Sequence, residues 1–263
     1  MFLYNIIFCC LFFTEPTKIL IIGDSYLYTS NVDSLLSKTA RFNHKNVEIT
    51  SSLFPGRSIQ MHLDSGLRNS KDPRTGKIYP MNPTIDYLKN NRWDYIIVQI
   101  PPVVKPNQVK DEFIVPIQRI RKWIGYETKL ILLVPENMKD SYPEYVCGYN
   151  NQKSEIDCFQ YNNFQEKMDT LRNILNTNLK KFDCSIIYFS SIVNYLQESG
   201  IHKLYIDSYG HPNFNLATVI SSYCYYTIYD EKPTLPHEIL KKIKTKQIKK
   251  NLSKFISNEH IFN

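Results

Sequence analysis

Several things are scarce or missing in this chain, and each absence narrows what it can be. Glycine is sparse, 8 in 263 residues, while tyrosine is abundant at 19; that contrast is compositional and carries no chemistry of its own. No internal repeat or low-complexity tract is visible, so the sequence does not read as a solenoid or an array. A net positive charge is missing from most of the chain. The formal charge is +7, but the eight lysines after residue 231 face only Glu238 and Glu259, so the remainder is nearly neutral. A nearly neutral body argues against a broad nucleic-acid surface.

A long apolar run is also lacking. Residues 1–13, MFLYNIIFCCLFF, are almost wholly apolar but fall short of the ~20 residues of a membrane span. They resemble the core of a signal peptide, although no basic residue precedes them and no small-x-small cleavage site follows near Thr14–Thr17. Residues 1–16 are read as a signal or anchor segment, because the first core strand begins directly after them; a hydrophobic arm or a mis-set start is the plainer alternative. An extracytoplasmic location follows from the first reading, a cytoplasmic one from the second.

Beyond the N-terminal segment, which holds two of the six cysteines, close-spaced cysteines are missing as well, so the other four suggest no structural zinc site. Cys147 and Cys158 bracket a polar loop that a disulfide could staple in an oxidising compartment. Cys184 and Cys224 lie in strand-like and helix-like runs and read as buried thiols.

What is present is an alternation of strand-length apolar runs with helix-like segments. Strands are expected at 18–23, 46–52, 94–99, 129–134 and 184–190, and helices at 31–42, 84–91, 111–124, 160–181, 191–199 and 213–229. The continuous β-branched character of KILIIG, DYIIVQ and KLILLV suits strands buried on both faces. The expected fold is α/β: a single-domain, doubly wound, flavodoxin-like parallel sheet of about five strands flanked by helices. The core domain spans 17–231. In such folds ligands bind beyond the carboxyl ends of the strands. Residues 66–83 and the long loop 135–159 follow strands on that side and are expected to wall a cleft. Residues 232–263 form a basic tail with apolar residues at helical spacing. It is read as a docked helix with a solvated face, or as a weak contact for a membrane or polyanion.

Four polar pieces interrupt the pattern where the sheet's carboxyl edge should be. Gly23-Asp24-Ser25 ends the first strand and starts a helix, a junction that can expose a serine hydroxyl where helix-terminal N–H groups point. Alternatively, Ser25 or Asp24 only caps that helix. Phe54-Pro55-Gly56-Arg57-Ser58 brings a glycine that allows close backbone approach. Gln99 ends the apolar run from Trp93, and Asp207-Ser208-Tyr209-Gly210-His211-Pro212-Asn213 leads into the last core helix.

In this order the pieces resemble the blocks of the SGNH/GDSL hydrolase superfamily, over about Lys18 to Tyr229. Among its members the chain looks closest to a bacterial subgroup with Gln in the third block, whose second-block histidine His62 also matches. The resemblance implies a serine esterase with Ser25 as nucleophile, His211 as base and Asp207 as its partner. It implies an oxyanion hole from the N–H groups of Ser25 and Gly56 and the Gln99 amide. Asp24 and His62 are placed toward the substrate, His62 as a pocket or a structural residue. It implies a carboxylic ester substrate, acetyl above all, on a carbohydrate or small molecule, and no metal or organic cofactor.

The sequence departs from the family pattern in one place. The family spacing D-x-x-H is D-x-x-x-H here, and Gly210 is expected to absorb the extra residue as a bulge or tight turn. If it does not, a catalytically impaired glycan-binding module is the rival reading. An acyltransferase using the same Ser25 and His211 is another. His44, His202, His237 and His260 carry no motif and are expected at the surface.

Overall fold

The computed structural model describes residues 15–64, 70–71, 76, 78–79, 83–100, 109–135, 143–150, 155–179, 182–207, 210–243 and 248. Its first half contains β1 (Thr17–Gly23), α1 (Ser25–Ser30), α2 (Val32–Phe42), β2 (Val47–Leu53), α3 (Ile59–His62), β3 (Ser70–Lys71), β4 (Ile78–Tyr79), α4 (Pro83–Asn90) and β5 (Tyr95–Gln99). A π-helical turn, Lys110–Ile114, leads into α5 (Val115–Ile124). The second half adds β6 (Lys129–Val134), β7 (Glu144–Asn150), β8 (Glu155–Tyr161), α6 (Phe164–Leu179), β9 (Cys184–Tyr188), α7 (Phe189–Glu198), α8 (Phe214–Tyr229) and α9 (His237–Lys242).

Five strands form one sheet in the order β2-β1-β5-β6-β9, all parallel. This is the α/β sheet expected from the sequence. The alternation of side chains along each strand splits the core in two. Ile19, Ile21, Ile97, Ile131, Leu133 and Ile187 pack with residues of α2, α7 and α8 on one face. Leu20, Ile22, Ile96, Val98, Leu130 and Leu132 pack with residues of α4, α5 and α6 on the other. Strands buried on both faces cannot alternate with polar residues, which is why these runs read as continuous apolar stretches.

The order reverses direction between β1 and β5, since β2 lies on one side of β1 and all later strands lie on the other. The register pairs Ile22 with Val98, so the next residues, Gly23 and Gln99, end their strands side by side. This reversal is the place where an open α/β sheet has a natural crevice.

Some boundaries differ from expectation. The last strand ends at Tyr188, because Phe189 already starts α7. The segment 135–159, expected as a loop, contains the antiparallel hairpin β7–β8, and α6 consequently starts at Phe164 rather than at 160. Cys147 and Cys158 face each other in that ladder and form a disulfide. Cys224 is buried and Cys184 partly so, both as free thiols. Within 66–83, Ser70–Lys71 and Ile78–Tyr79 pair as the short β3–β4 ladder and Pro83 starts α4; apart from Gly76 the rest lie outside the described residues. So do residues 1–14 and all but Ile248 of 244–263. Leu235, Ile239, Ile243 and Ile248 join the core cluster on the α8 face. Among the described residues, no helix is long and apolar enough to cross a membrane.

Candidate active site

The strand-to-helix junction after β1 is capped by Asp24. Its backbone is extended, and its side chain accepts the Tyr26 N–H at 2.9 Å. The cap being Asp24, Ser25 is the first helical residue, half-buried, with its hydroxyl not used as the cap.

Gln99, from the end of β5, clasps Asp24 at two points. Its Oε1 accepts the Asp24 N–H at 3.2 Å, and its Nε2 donates to Asp24 Oδ1 at 2.5 Å. Glycine precedes Asp24 for a reason of space: a Cβ on Gly23 would sit 2.8 Å from Gln99 Oε1 and 3.0 Å from Leu27 Cδ1. Burial pushes the Asp24 carboxyl above its ordinary pKa, opposed by the Tyr26 N–H, the Gln99 amide and the charge of His211. Asp24 is 8% exposed and engaged on both counts. These contacts make Asp24 the organiser of the turn.

The glycine block follows β2. Arg57 N–H donates to the Phe54 carbonyl at 3.2 Å, closing a turn in which Pro55 precedes Gly56. Gly56 has φ +73° and an exposed, open Cα, so its backbone conformation rather than crowding calls for glycine. Ser58 then caps α3 through the Met61 N–H at 3.2 Å.

His62 closes this segment and is 1% exposed. Its Nε2 lies 3.0 Å from the Gly23 carbonyl oxygen and its Nδ1 3.1 Å from Thr84 Oγ1. Thr84 Oγ1 is in turn 2.6 Å from Ser52 Oγ. Burial, then the charge of Arg57, lowers the His62 pKa to about 3, with the Gly23 carbonyl pulling the other way. Of the two roles left open for His62, this burial supports the structural one.

The histidine block leads into α8. Asn213 caps that helix through the Leu216 N–H and donates from Nδ2 to the Lys203 carbonyl at 2.6 Å. Before it the chain makes a narrow loop: Ile206 N–H reaches the His211 carbonyl at 2.9 Å, and Gly210 N–H reaches the Asp207 carbonyl at 3.3 Å. Gly210 has φ +82°, a left-handed conformation that favours glycine. The extra residue is thereby absorbed. Asp207 Oδ2 stands 2.6 Å from His211 Nδ1, and Asp207 Oδ1 accepts the His211 N–H at 3.2 Å.

The His211 ring then packs on Tyr26, ring centroids 5.2 Å apart. It therefore contacts the residue after Ser25, and its charge is felt by the residue before. Ser25, Gln99, His211 and Asp207 thus gather at one carboxyl edge of the sheet, with the Gly56 turn hung from the same Gly23. His44, His202 and His237 are exposed, and His260 lies outside the described residues. Sequence reading did not find Thr84, Ser52 or Tyr26. Single hydroxyls and one tyrosine among 19 give no signal until the fold brings them together. Among the described residues, no three His, Cys, Asp or Glu side chains are grouped as a metal ion requires.

No family model matches the chain, and no curated protein matches it. Solved structures do. The acetylxylan esterase Axe2 from Geobacillus stearothermophilus is 11% identical, with a TM-score of 0.52 over 82% of this chain and 96% of that one. A point mutant of Axe2, described as an acetyl-xylooligosaccharide esterase, gives a TM-score of 0.53 at 11% identity and the same coverage. At this identity the likeness is one of fold: the chain shares the α/β architecture of these two structures.

Proposed function

We propose that this protein is a serine-dependent carboxylic ester hydrolase acting through Ser25, His211 and Asp207. The observation that carries the reading is the Asp207–His211 pair at 2.6 Å, with the same ring seated on Tyr26 beside Ser25. Asp207 engages Nδ1, so it holds the imidazole with Nε2 as the nitrogen available for proton transfer.

In the reaction, His211 Nε2 takes the Ser25 proton as Oγ bonds to the ester carbonyl carbon. The carbonyl π electrons move to oxygen, giving the tetrahedral oxyanion. Collapse breaks the bond to the leaving alkoxide, which receives the proton from His211. Water, deprotonated by the same nitrogen, then attacks the acyl-serine, and the returning proton restores Ser25. The oxyanion is held by N–H groups of Ser25 and Gly56 at the start of α1 and in the glycine turn. Gln99 contributes its second Nε2–H, since an amide nitrogen carries two and Asp24 takes one.

The substrate proposed is an acetyl ester of a carbohydrate, supported by the likeness of fold to proteins described as acetyl xylan esterases. The catalytic domain is 17–231, with 1–16 a signal segment and 232–263 a basic appendage. An extracytoplasmic location is supported by the Cys147–Cys158 disulfide. Turnover of p-nitrophenyl acetate and of acetylated xylooligosaccharide by wild type and Ser25→Ala tests the reading. Loss of turnover on both substrates in the variant is expected. Equal turnover by the variant, or glycan binding without turnover by wild type, would overturn it. Acetyl transfer to an added sugar in preference to water would make the same site an acyltransferase.

A further inference from the structure

The carbonyl oxygen of Gly23, two residues before Ser25, receives two donors from one segment. Phe54 N–H lies 3.0 Å from it and His62 Nε2 lies 3.0 Å from it. Between these two attachment points runs the turn that presents Gly56. The N–H on the other side of the same Gly23–Asp24 peptide goes to Gln99 Oε1. One peptide plane is thus gripped by β2, α3 and β5, and it sets the direction in which α1 and Ser25 begin.

The order of protons in the grip follows from valence. A carbonyl only accepts, so Nε2 of His62 must carry the hydrogen. In the neutral ring Nδ1 is then an acceptor, and the Thr84 hydroxyl donates to it at 3.1 Å. Thr84 Oγ1 receives the Ser52 hydroxyl at 2.6 Å. The run Ser52, Thr84, His62, Gly23 crosses β2, α4, α3 and β1, and Ser52, Thr84 and His62 are each 1% exposed or less.

We propose that His62 is a positioning residue: through Nε2–H it fixes the Gly23–Asp24 peptide and, with it, the relative placement of Ser25 and Gly56. This rests on the reading of Ser25 as nucleophile. A nucleophile and a second oxyanion donor on different loops must be held to a fraction of an ångström. A misplacement of about 1 Å costs on the order of 10²-fold in rate. Closing the Gly56 loop on one carbonyl at both ends supplies that constraint. His62 neither meets substrate nor exchanges protons in the reaction. The lowering of its pKa to about 3 keeps the ring neutral wherever such an esterase works.

The test compares wild type, His62→Gln, His62→Leu and Thr84→Val by steady-state kinetics, thermal unfolding and ring ¹⁵N NMR. Glutamine can still donate to the Gly23 carbonyl but cannot titrate; leucine can do neither. Expected are a 10- to 100-fold fall in kcat for His62→Leu with KM changed less than about threefold, and recovery of most of that loss in His62→Gln with an unmoved pH profile. The wild-type His62 ring is expected as the Nε2–H tautomer, unchanged from pH 5 to 8. The inference is overturned if His62→Gln is as slow as His62→Leu, if KM rises tenfold in both, or if the ring titrates near pH 6.5. Should His62→Leu not fold, Thr84→Val carries the kinetic arm: an unchanged kcat with the Nε2–H tautomer lost would overturn the anchor. The NMR readout does not depend on turnover. A fixed ring in a protein without esterase activity would sink the catalytic reading alone, and a titrating ring in an active esterase the anchor alone.

Discussion

Asp207 and His211 are four residues apart, and the turn at Gly210 folds the carboxylate back so that it holds both the ring Nδ1 and the backbone N–H of the same histidine. A one-residue insertion would ordinarily rotate the aspartate away from its partner. Here the left-handed Gly210 returns it, and the pair is braced on the far side by the Tyr26 ring.

Asp207→Asn should therefore impair catalysis without unfolding the protein. The asparagine can offer its amide to Nδ1 and stabilise the wrong tautomer, so kcat should fall by about 10²- to 10³-fold with KM little changed. The loss should be below that of a fully buried triad aspartate, because Asp207 is 35% exposed and water can replace part of its field. Stopped-flow and steady-state kinetics on p-nitrophenyl acetate measure it; a change under threefold would contradict the role.

Gly23→Ala should be costly although φ at Gly23 is ordinary. The added Cβ meets Gln99 Oε1 at 2.8 Å, and Gln99 can yield only by giving up its clasp on Asp24. A loss of roughly 1–3 kcal/mol is expected, read as a lower urea midpoint. Gly56→Ala, with open space around its Cβ, should cost only its backbone strain of about 1 kcal/mol. Equal midpoints for Gly23→Ala and wild type would refute the crowding argument.

These contrasts show what the sequence could convey. The three inner strands were the most legible, because a strand covered on both faces must be apolar throughout, as Ile19 to Ile22 and Leu130 to Val134 are; the edge strands β2 and β9 carry polar residues as well. The order of the blocks placed Ser25, Gly56, Gln99 and His211 at one edge, since parallel strands all end on the same side. The β7–β8 hairpin was not legible: its outward residues are mixed, with Tyr145 and Ile156 exposed among charges, and a disulfide replaces much of the apolar pattern. Nor was the Asp24–Gln99 clasp, because the pairing spans 75 residues and depends on β1 and β5 being neighbours.

Acid should weaken the fold through His62. In the unfolded chain this histidine titrates near its ordinary 6.5, and in the folded protein near 3. Between those values the unfolded state binds a proton that the native state refuses. Stability is therefore full above pH 6.5 and falls as pH drops toward 3, by up to about 1.4 kcal/mol per pH unit. Asp24, raised by burial, acts in the opposite sense. Urea midpoints at pH 7, 6 and 5 should converge less steeply for His62→Gln than for wild type. Parallel slopes would count against a neutral, buried His62.

Reduction should loosen the hairpin before the sheet. Cys147 and Cys158 close a short loop of sequence separation 11 on a two-stranded ladder, which is marginal by itself. Closing a loop of this size is worth about 3 kcal/mol in the chain-entropy view. Limited proteolysis after mild reduction should cut first within 143–161 while the near-ultraviolet signal of the core persists. First cleavage elsewhere would contradict this.

The central claim is that Ser25 is a reactive nucleophile activated by His211, and active-site labelling tests it most directly. Wild-type protein treated with a fluorophosphonate should gain one adduct per chain, located on Ser25 by peptide mass spectrometry and lost in His211→Ala and Ser25→Ala. No adduct on wild type, or one on another residue that survives Ser25→Ala, would contradict the account.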